Sequence, residues 1–447
     1  MTKYNSGRFE KVFYIKQDLF TSYMEATCYR KYHKILFGFP ADYYFVYLDC
    51  NAYYDTKTMR FVRSRIKKNP ERYLKAIEKE CQHFLSECRR IQKIMDGKAQ
   101  FTEFARAYQR VVCIGMMRLE LEYVLTDVLK KRLQKNGLNP ESVINKISTK
   151  KVLESTKQKK ELLQLALKSK GKINAATYEK LRQLQKRYGF IGMFLLEKQP
   201  LSLQDLVRQL KSYKNASAEL RKVAAKASVP CNLDKEGKKI FHMLGELSYM
   251  RTNSVEQINK GIYLLLPMIS RIARKMHIRK TLIGYVTPPE IMNFLRKGKG
   301  VSIKLLQQRR KAYGIIGPEA KIIMGDKLKR LSQIAEKRTA PTGTVKGIAA
   351  TTGKAEGAAR VIHTKSEIRK VKAGDIIVTE MTTPDYMAAI RNAAAIVTDI
   401  GGITSHAAIV ARELGIPCIV GTKNATRVIK NGQLIVVNAD NGLVELK

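Results

Sequence analysis

Through most of the first 340 residues apolar side chains recur every three to four positions, the period of helices that bury one face. Behind Asn69-Pro70, an N-cap followed by proline at the first helical position, Leu74, Ile77, Cys81, Phe84, Cys88 and Ile91 share a face and predict an amphipathic helix. The spacing continues from Phe101 to about Leu210 through Met117, Leu119, Leu121, Val124, Leu125 and Val128, with turns at Gly137 to Pro140 and at Gly171. A multi-helix bundle is the simplest architecture. The lysine-rich stretch Lys150 to Lys172 predicts a solvated helix pair. A second helical block runs from Asp234 to Gly314, ending in LLQQRRKAYG. Within it Thr287-Pro288-Pro289-Glu290 has the form of a capping box and starts a new helix. Pro267 interrupts a helical pattern, where loss of a hydrogen bond costs about 3 kcal/mol and predicts a kink or break. Upstream of the helices, the aromatic and β-branched segment Asp42 to Tyr54 predicts a short strand or strand pair.

The pattern changes at Arg338 to Gly343, RTAPTG, which predicts a linker. Beyond it strands alternate with helices. Strands are expected at Thr344 to Ala349, Ala359 to His363, Asp375 to Thr379, Ala395 to Thr398, Cys418 to Val420 and Leu434 to Asn438. Helices are expected at Pro384 to Ala393, His406 to Leu414 and Asn424 to Ile429, making an α/β domain. The expected organisation is a basic, mainly helical domain over 1–233, a helical region over 234–337, a linker over 338–343 and an α/β domain over 344–447.

A hydrophobic fraction of 45% and a charged fraction of 27% are those of a globular chain. No apolar run approaches the ~18 residues of a membrane span, and the N-terminus lacks an apolar signal core; a cytoplasmic protein without membrane contact is expected. The seven cysteines contain no CxxC pair. Cys81 and Cys88, with His83 between, lie two turns apart on one helix face, so reduced, buried thiols are expected rather than disulfides or zinc. The other histidines (His33, His242, His277 and His363) are isolated and lack metal spacing. Of the formal charge of +44, residues 341–447 hold 13 basic and 9 acidic side chains, which leaves +40 on the first 340. Such a surface attracts nucleic acid, anionic surfaces or phosphorylated and acidic partners, unless it is only a solvated face.

Chemistry concentrates in Ala395 to Pro417, which reads strand, glycine turn, helix. Gly401 and Gly402 permit a tight turn and let an anion approach main-chain N–H groups. Thr404 and Ser405 supply hydroxyls at the helix N-cap, and Gly415 and Pro417 stop the helix about three turns later. His406 therefore sits in the first turn. Unpaired N–H groups and the helix dipole stabilise a phosphate there and disfavour imidazolium, keeping a neutral nucleophilic ring. An ordinary histidine beside a βα turn is the plain alternative. Arg251, in YMRT, is either a ligand-facing or an interface arginine.

The segment Gly374 to Gly421, with GDIIVTEMTTPDYMAAI, AAAIVTD and GGITSHAAIVARELGIPCIVGT, closely resembles the swivelling phosphohistidine domain of the PEP-utilising enzyme family: phosphoenolpyruvate synthase, pyruvate phosphate dikinase and rifampicin phosphotransferase. The resemblance implies that His406 is the phosphoryl acceptor and that Gly401, Gly402, Thr404 and Ser405 face the phosphate. Thr382, Thr383 and Asp385 match the MTTPD turn near that loop, and Asp399 and Arg412 are implied as supporting residues. No metal ligands are implied. Upstream, YMRTNSVEQINKG, IGYVTPPEI and LLQQRRKAYG are similar to the helical region that precedes the carrier domain in this family. Asn438-Ala439 departs from the family's Asp-Gly, a local change.

Family members that make or use phosphoenolpyruvate carry an ATP-grasp nucleotide domain, and many add a pyruvate-binding barrel. Neither pattern, and no glycine-rich phosphate loop, stands in the first 340 residues. The fold expected is a mainly α N-terminal region, a helical bundle, followed by a C-terminal α/β swivelling phosphohistidine domain. The function expected is a phosphotransferase component in which His406 passes on a phosphoryl group. Its donor is ATP or phosphoenolpyruvate with Mg, bound by a separate ATP-grasp or other donor protein, with no tightly held cofactor and a small-molecule acceptor. The rival is a non-catalytic scaffold whose basic helices bind nucleic acid or a protein partner.

Overall fold

A computed structural model describes residues 9–14, 19–38, 46–48, 51–138, 140–144, 147, 151–193, 196, 200–213, 216–217, 220, 233–317, 319–336, 344–363, 365–382, 386–402, 405–422 and 424–447. The expected linker 338–343 lies outside them.

The front part is mainly α, as its periodicity predicts. Asn69 caps the helix Pro70–Ile91 by accepting from the Arg72 backbone N–H, and the six apolar positions read from the sequence pack inward, Leu74 at the margin. Cys81 and Cys88 are buried free thiols, and burial pushes both up to about 12; His83 is exposed. The 41-residue helix Lys235–Lys275 runs unbroken through Pro267. One lost hydrogen bond is offset there by apolar burial at Leu265, Met268, Ile269 and Ile272. The same helix lies close against Pro70–Ile91: a Cβ on Gly261 would meet Phe84 Cε1 at 2.6 Å and Cys88 Sγ at 2.8 Å. Gly261→Ala is accordingly expected to destabilise the bundle by about 1–3 kcal/mol through overpacking, read from the urea midpoint.

Two expectations need correction. The lysine-rich stretch forms one described helix, Glu154–Ser169, not a pair, and it buries Leu162, Leu163 and Ala166. Its lysines share a helix with an apolar stripe, and Lys170 in a left-handed conformation ends it before Gly171. The front part also holds more strand than the single pair expected. Strands β1 (Phe9–Tyr14), β2 (Val46–Leu48), β3 (Asn51–Asp55), β4 (Gly314–Ile316) and β5 (Lys321–Ile323) form an antiparallel sheet in the order β1-β3-β2-β4-β5. The β2–β4 pairing sets Tyr47 opposite Ile315, and the Tyr47 and Tyr313 rings stack at 5.3 Å. One hydrophobic core runs from Leu19 to Ala320 and includes the helices on both sides of residue 233.

The C-terminal part is α/β. Strands β6 (Thr344–Lys346), β7 (Ile348–Thr351), β8 (Lys354–Ile362), β9 (Ile376–Thr379), β10 (Ala395–Thr398), β11 (Cys418–Val420), β12 (Leu434–Asn438) and β13 (Leu443–Leu446) form one sheet in the order β6-β13-β12-β8-β9-β10-β11-β7. The strands β8-β9-β10-β11 run parallel, the others antiparallel. The helix His406–Leu414 packs over β7, β10 and β11. Since β9, β10 and β11 are buried on both faces, they read as continuous apolar runs.

Candidate functional site

Strand β10 delivers the chain to the site at its carboxyl end. There the Asp399 N–H donates to the Thr379 carbonyl at 3.1 Å and the Ile400 N–H to the Glu380 carbonyl at 2.9 Å, so the turn is clamped to the end of β9. Gly401 takes φ +124°, a conformation that L side chains rarely adopt, and a Cβ there would also meet Ser405 at 2.9 Å. The Ser405 N–H then closes onto the Gly402 carbonyl at 2.9 Å, while Ser405 Oγ accepts from the Ala408 N–H at 3.3 Å as the N-cap. His406 is the first residue of the helix, and Gly415 ends it in a left-handed cap.

The His406 ring is half-buried. Its Nδ1 lies 2.9 Å from Thr382 Oγ1, itself buried. That bond fixes the ring plane and engages Nδ1, so Nε2 is the nitrogen left for chemistry. Burial pushes the imidazole below its ordinary value, which favours the neutral form near pH 7. Thr382→Val is expected to slow phosphoryl uptake by about tenfold or more by releasing the ring from its attack orientation, with thermal stability nearly unchanged. Single-turnover labelling beside a melting curve checks both.

Of the residues implied as supporting, Asp399 turns away from His406. It is 2% exposed, and its carboxylate accepts from Thr422 Oγ1 at 2.9 Å, from the Thr426 N–H at 3.2 Å and from the Thr426 hydroxyl. It fastens the carboxyl end of β10 to the helix Ala425–Val428. Arg412 lies on the far part of its helix beside Cys418, and burial pushes its guanidinium down. Thr383, Asp385 and Thr404 lie outside the described residues. His242, His277 and His363 are exposed, and nothing is described of the His33 side chain. Among the described residues no three His, Cys, Asp or Glu side chains gather as a metal site, and no helix is long and apolar enough to cross a membrane.

Two features of the site were not legible in the sequence. Thr382 stands in the MTTPD motif, but no spacing along the chain encodes its bond to Nδ1. Glu122, on the helix Ile114–Lys135, reaches the loop from the front part: a Cβ at Gly402 would stand 3.6 Å from its Oε1.

Residues 371–442 match the family model of the PEP-utilising enzyme mobile domain. A phosphoenolpyruvate synthase of Pyrococcus furiosus is 58% identical over 100 residues, 22% of this chain and 12% of that protein. A probable phosphoenolpyruvate synthase of Archaeoglobus fulgidus is 55% identical over 100 residues, 22% of this chain and 13% of its own length. The phosphoenolpyruvate synthase of Aeropyrum pernix is 36% identical over 194 residues, 43% of this chain and 21% of that protein. A match of 194 residues is longer than the stretch 344–447, so it also takes in residues upstream of 344. The matches thus span between about an eighth and a fifth of these relatives. Aconitase X of Thermococcus kodakaraensis aligns with 24% of this chain and 99% of its own at 20% identity, with a TM-score of 0.20, too low to carry an argument. The likeness to the PEP-utilising mobile domain thus falls on residues 371–442, within the C-terminal α/β part of the chain.

Proposed function

We propose that this protein is a phosphotransferase component in which His406 Nε2 takes up a phosphoryl group and hands it to an acceptor. The observation that carries the reading is the 2.9 Å bond between Thr382 Oγ1 and His406 Nδ1 on the first turn of a helix, with the ring held neutral by burial. The Nε2 lone pair attacks phosphorus, and the P–O bond to the donor breaks with its electron pair leaving on the donor oxygen. Delivery to an acceptor oxygen reverses the sense: the P–N bond breaks and the pair returns to the ring. In this reading Gly401, Gly402 and Ser405 face the phosphate, and the resemblance assigns Thr404, Thr383 and Asp385 to the same site.

ATP or phosphoenolpyruvate, with Mg as its counter-ion, is the donor, presented by a separate ATP-grasp or other donor protein. The carrier domain 344–447 travels about the linker 338–343, and the helical regions 1–233 and 234–337 form its platform, with a small-molecule acceptor bound against them. The identity with phosphoenolpyruvate synthases supports the donor chemistry.

The test is intact-mass measurement at alkaline pH after incubation with ATP or phosphoenolpyruvate, Mg and cell extract. A phosphate-sized adduct that acid removes is expected. If no adduct forms with either donor, the carrier reading fails, and a salt-dependent titration with RNA or DNA would then decide for the basic helices as a binding module.

A further inference from the structure

The helix Thr56–Lys68 carries six basic side chains in 13 residues, Lys57, Arg60, Arg63, Arg65, Lys67 and Lys68, and no acid. Cations on other helices of the front part meet carboxylates close by: Arg90 pairs with Glu87 and Glu103, Lys131 with Asp127, and Arg208 with Asp205. On Thr56–Lys68 the buried face is taken by Met59, Val62 and Ile66. Lys57, Arg60, Lys67 and Lys68 stand exposed, with no carboxylate paired to them among the described residues.

Two large aromatic rings open to solvent on this charged surface. Tyr123, on the helix Ile114–Lys135 packed alongside, is 55% exposed, and Phe61 is 40% exposed. Each has a guanidinium over it: Arg63 at 4.2 Å from the Tyr123 ring centre and Arg65 at 5.2 Å from that of Phe61. The Tyr123 arrangement is built from the interior outward. Glu120, 2% exposed, accepts from Arg63 Nε and so sets the guanidinium against one face of the ring. The exposure of the ring therefore falls on its other face. Arg60, Arg63 and Lys67 recur at i, i+3 and i+7, a row about 10 Å long on the side of the helix that meets Tyr123.

A row of cations beside a fixed aromatic shelf meets both needs of an unpaired nucleic-acid strand: its phosphates lie along positive charge, and a base stacks on the open ring face. An acidic peptide would use the cations and leave the ring idle, and a duplex keeps its bases stacked inside. We propose that the surface formed by Thr56–Lys68 and Tyr123 binds single-stranded nucleic acid, with Tyr123 stacking on a base and Arg60 and Lys67 contacting the backbone. The inference does not depend on the carrier reading of His406.

Fluorescence anisotropy of the full chain with a labelled oligouridylate of about 20 nucleotides tests this. Tyr123→Ala is expected to weaken binding by about tenfold at fixed salt, and Tyr123→Phe by less than about twofold, because the ring does the stacking. Tyr123→Ala is expected to leave the salt dependence unchanged. The double variant Arg60→Gln, Lys67→Gln is expected to lower the slope of log affinity against log salt by about 1.4, roughly 0.7 for each lost phosphate contact. A strand of the same length without bases is expected to bind the natural chain and Tyr123→Ala alike. Circular dichroism checks that each variant is folded, and Tyr123→Leu takes the place of Tyr123→Ala if the alanine variant does not fold. Equal affinity of the natural chain and the ring-less variant for oligouridylate, or the same loss on the strand without bases, overturns the stacking site. Displacement of the oligouridylate by polyglutamate at matched charge overturns it in favour of an acidic protein partner.

Discussion

Replacing His406 by alanine is expected to remove the acid-labile adduct entirely, leaving uptake below detection, a loss of at least about a thousandfold. No other side chain among the described residues combines a helix N-terminus, a ring-orienting hydroxyl and a neutral nitrogen. Ser405 is the nearest competitor, but its oxygen is already the N-cap acceptor for Ala408, and a phosphoserine survives acid. His406→Asn, which keeps size and polarity without the second ring nitrogen, is expected to fail equally. An acid-labile adduct persisting in either variant would place the nucleophile elsewhere. The pH profile follows from the burial of the ring. The neutral form reacts, and burial lowers the pKa, so uptake is expected to hold constant through pH 7 and to decline only at a pH below the ordinary imidazole value of about 6.5. A decline centred above that value would contradict the buried, neutral ring.

Glu290→Ala is expected to be the most costly of the single substitutions for stability, at about 3 kcal/mol. Glu290 completes the capping box with Thr287, accepting from its N–H at 2.9 Å, and receives both terminal nitrogens of Arg309, at 2.8 and 2.9 Å. Arg309 is 6% exposed and also donates to the Tyr285 carbonyl at 3.1 Å. Without the carboxylate a guanidinium stays in the interior with a carbonyl as partner, and the capping box loses its reciprocal half, the acceptor for the Thr287 N–H. Glu290→Gln keeps the cap but not the charge, and is expected to lose less; urea unfolding followed by far-UV circular dichroism measures both. Burial alone would raise the Glu290 carboxyl, but the Arg309 hydrogen bonds, the Thr287 N–H and the Arg309 charge together hold it below the ordinary range. Its contribution is thus complete above the unfolded carboxyl value of about 4.3 and is lost as pH falls through the lowered folded value. In Glu290→Ala that part of the acid sensitivity should vanish. Loss of Glu290 with no change in urea midpoint would show the ion pair to be dispensable.

Helices with a long apolar stripe, such as Pro70–Ile91, and starts with a complete cap, such as Thr287 to Glu290, were legible because the information is local: a period or a spacing of three residues carries it. Most buried strands of the C-terminal domain and the helix behind His406 were legible for the same reason; β13, the shortened helix Met387–Ile390, the first five residues of β8 and the division of the expected strand Thr344 to Ala349 at Gly347 into β6 and β7, which lie at opposite edges of the sheet, were not. The glycine turn, Ser405 and His406 follow one another in the chain, so the candidate nucleophile could be named from sequence. Pairings across long separations could not. A strand of three residues such as β4 has too few positions to show a period, and its partner β2 lies more than 260 residues earlier, so the front sheet exists only as a product of the fold. The direction of a carboxylate is likewise invisible: Asp399 adjoins the phosphate loop in sequence yet points to Thr422 and Thr426. Thr382 reaches Nδ1 only because β9 and β10 pair in parallel and bring their carboxyl ends together. Glu122 meets Gly402 across nearly 280 residues by the packing of one part on the other. Sequence alone singled out the candidate nucleophile; tertiary structure decided which of its ring nitrogens Thr382 engages and which side chain the loop rests against, since both depend on distances that no spacing along the chain encodes.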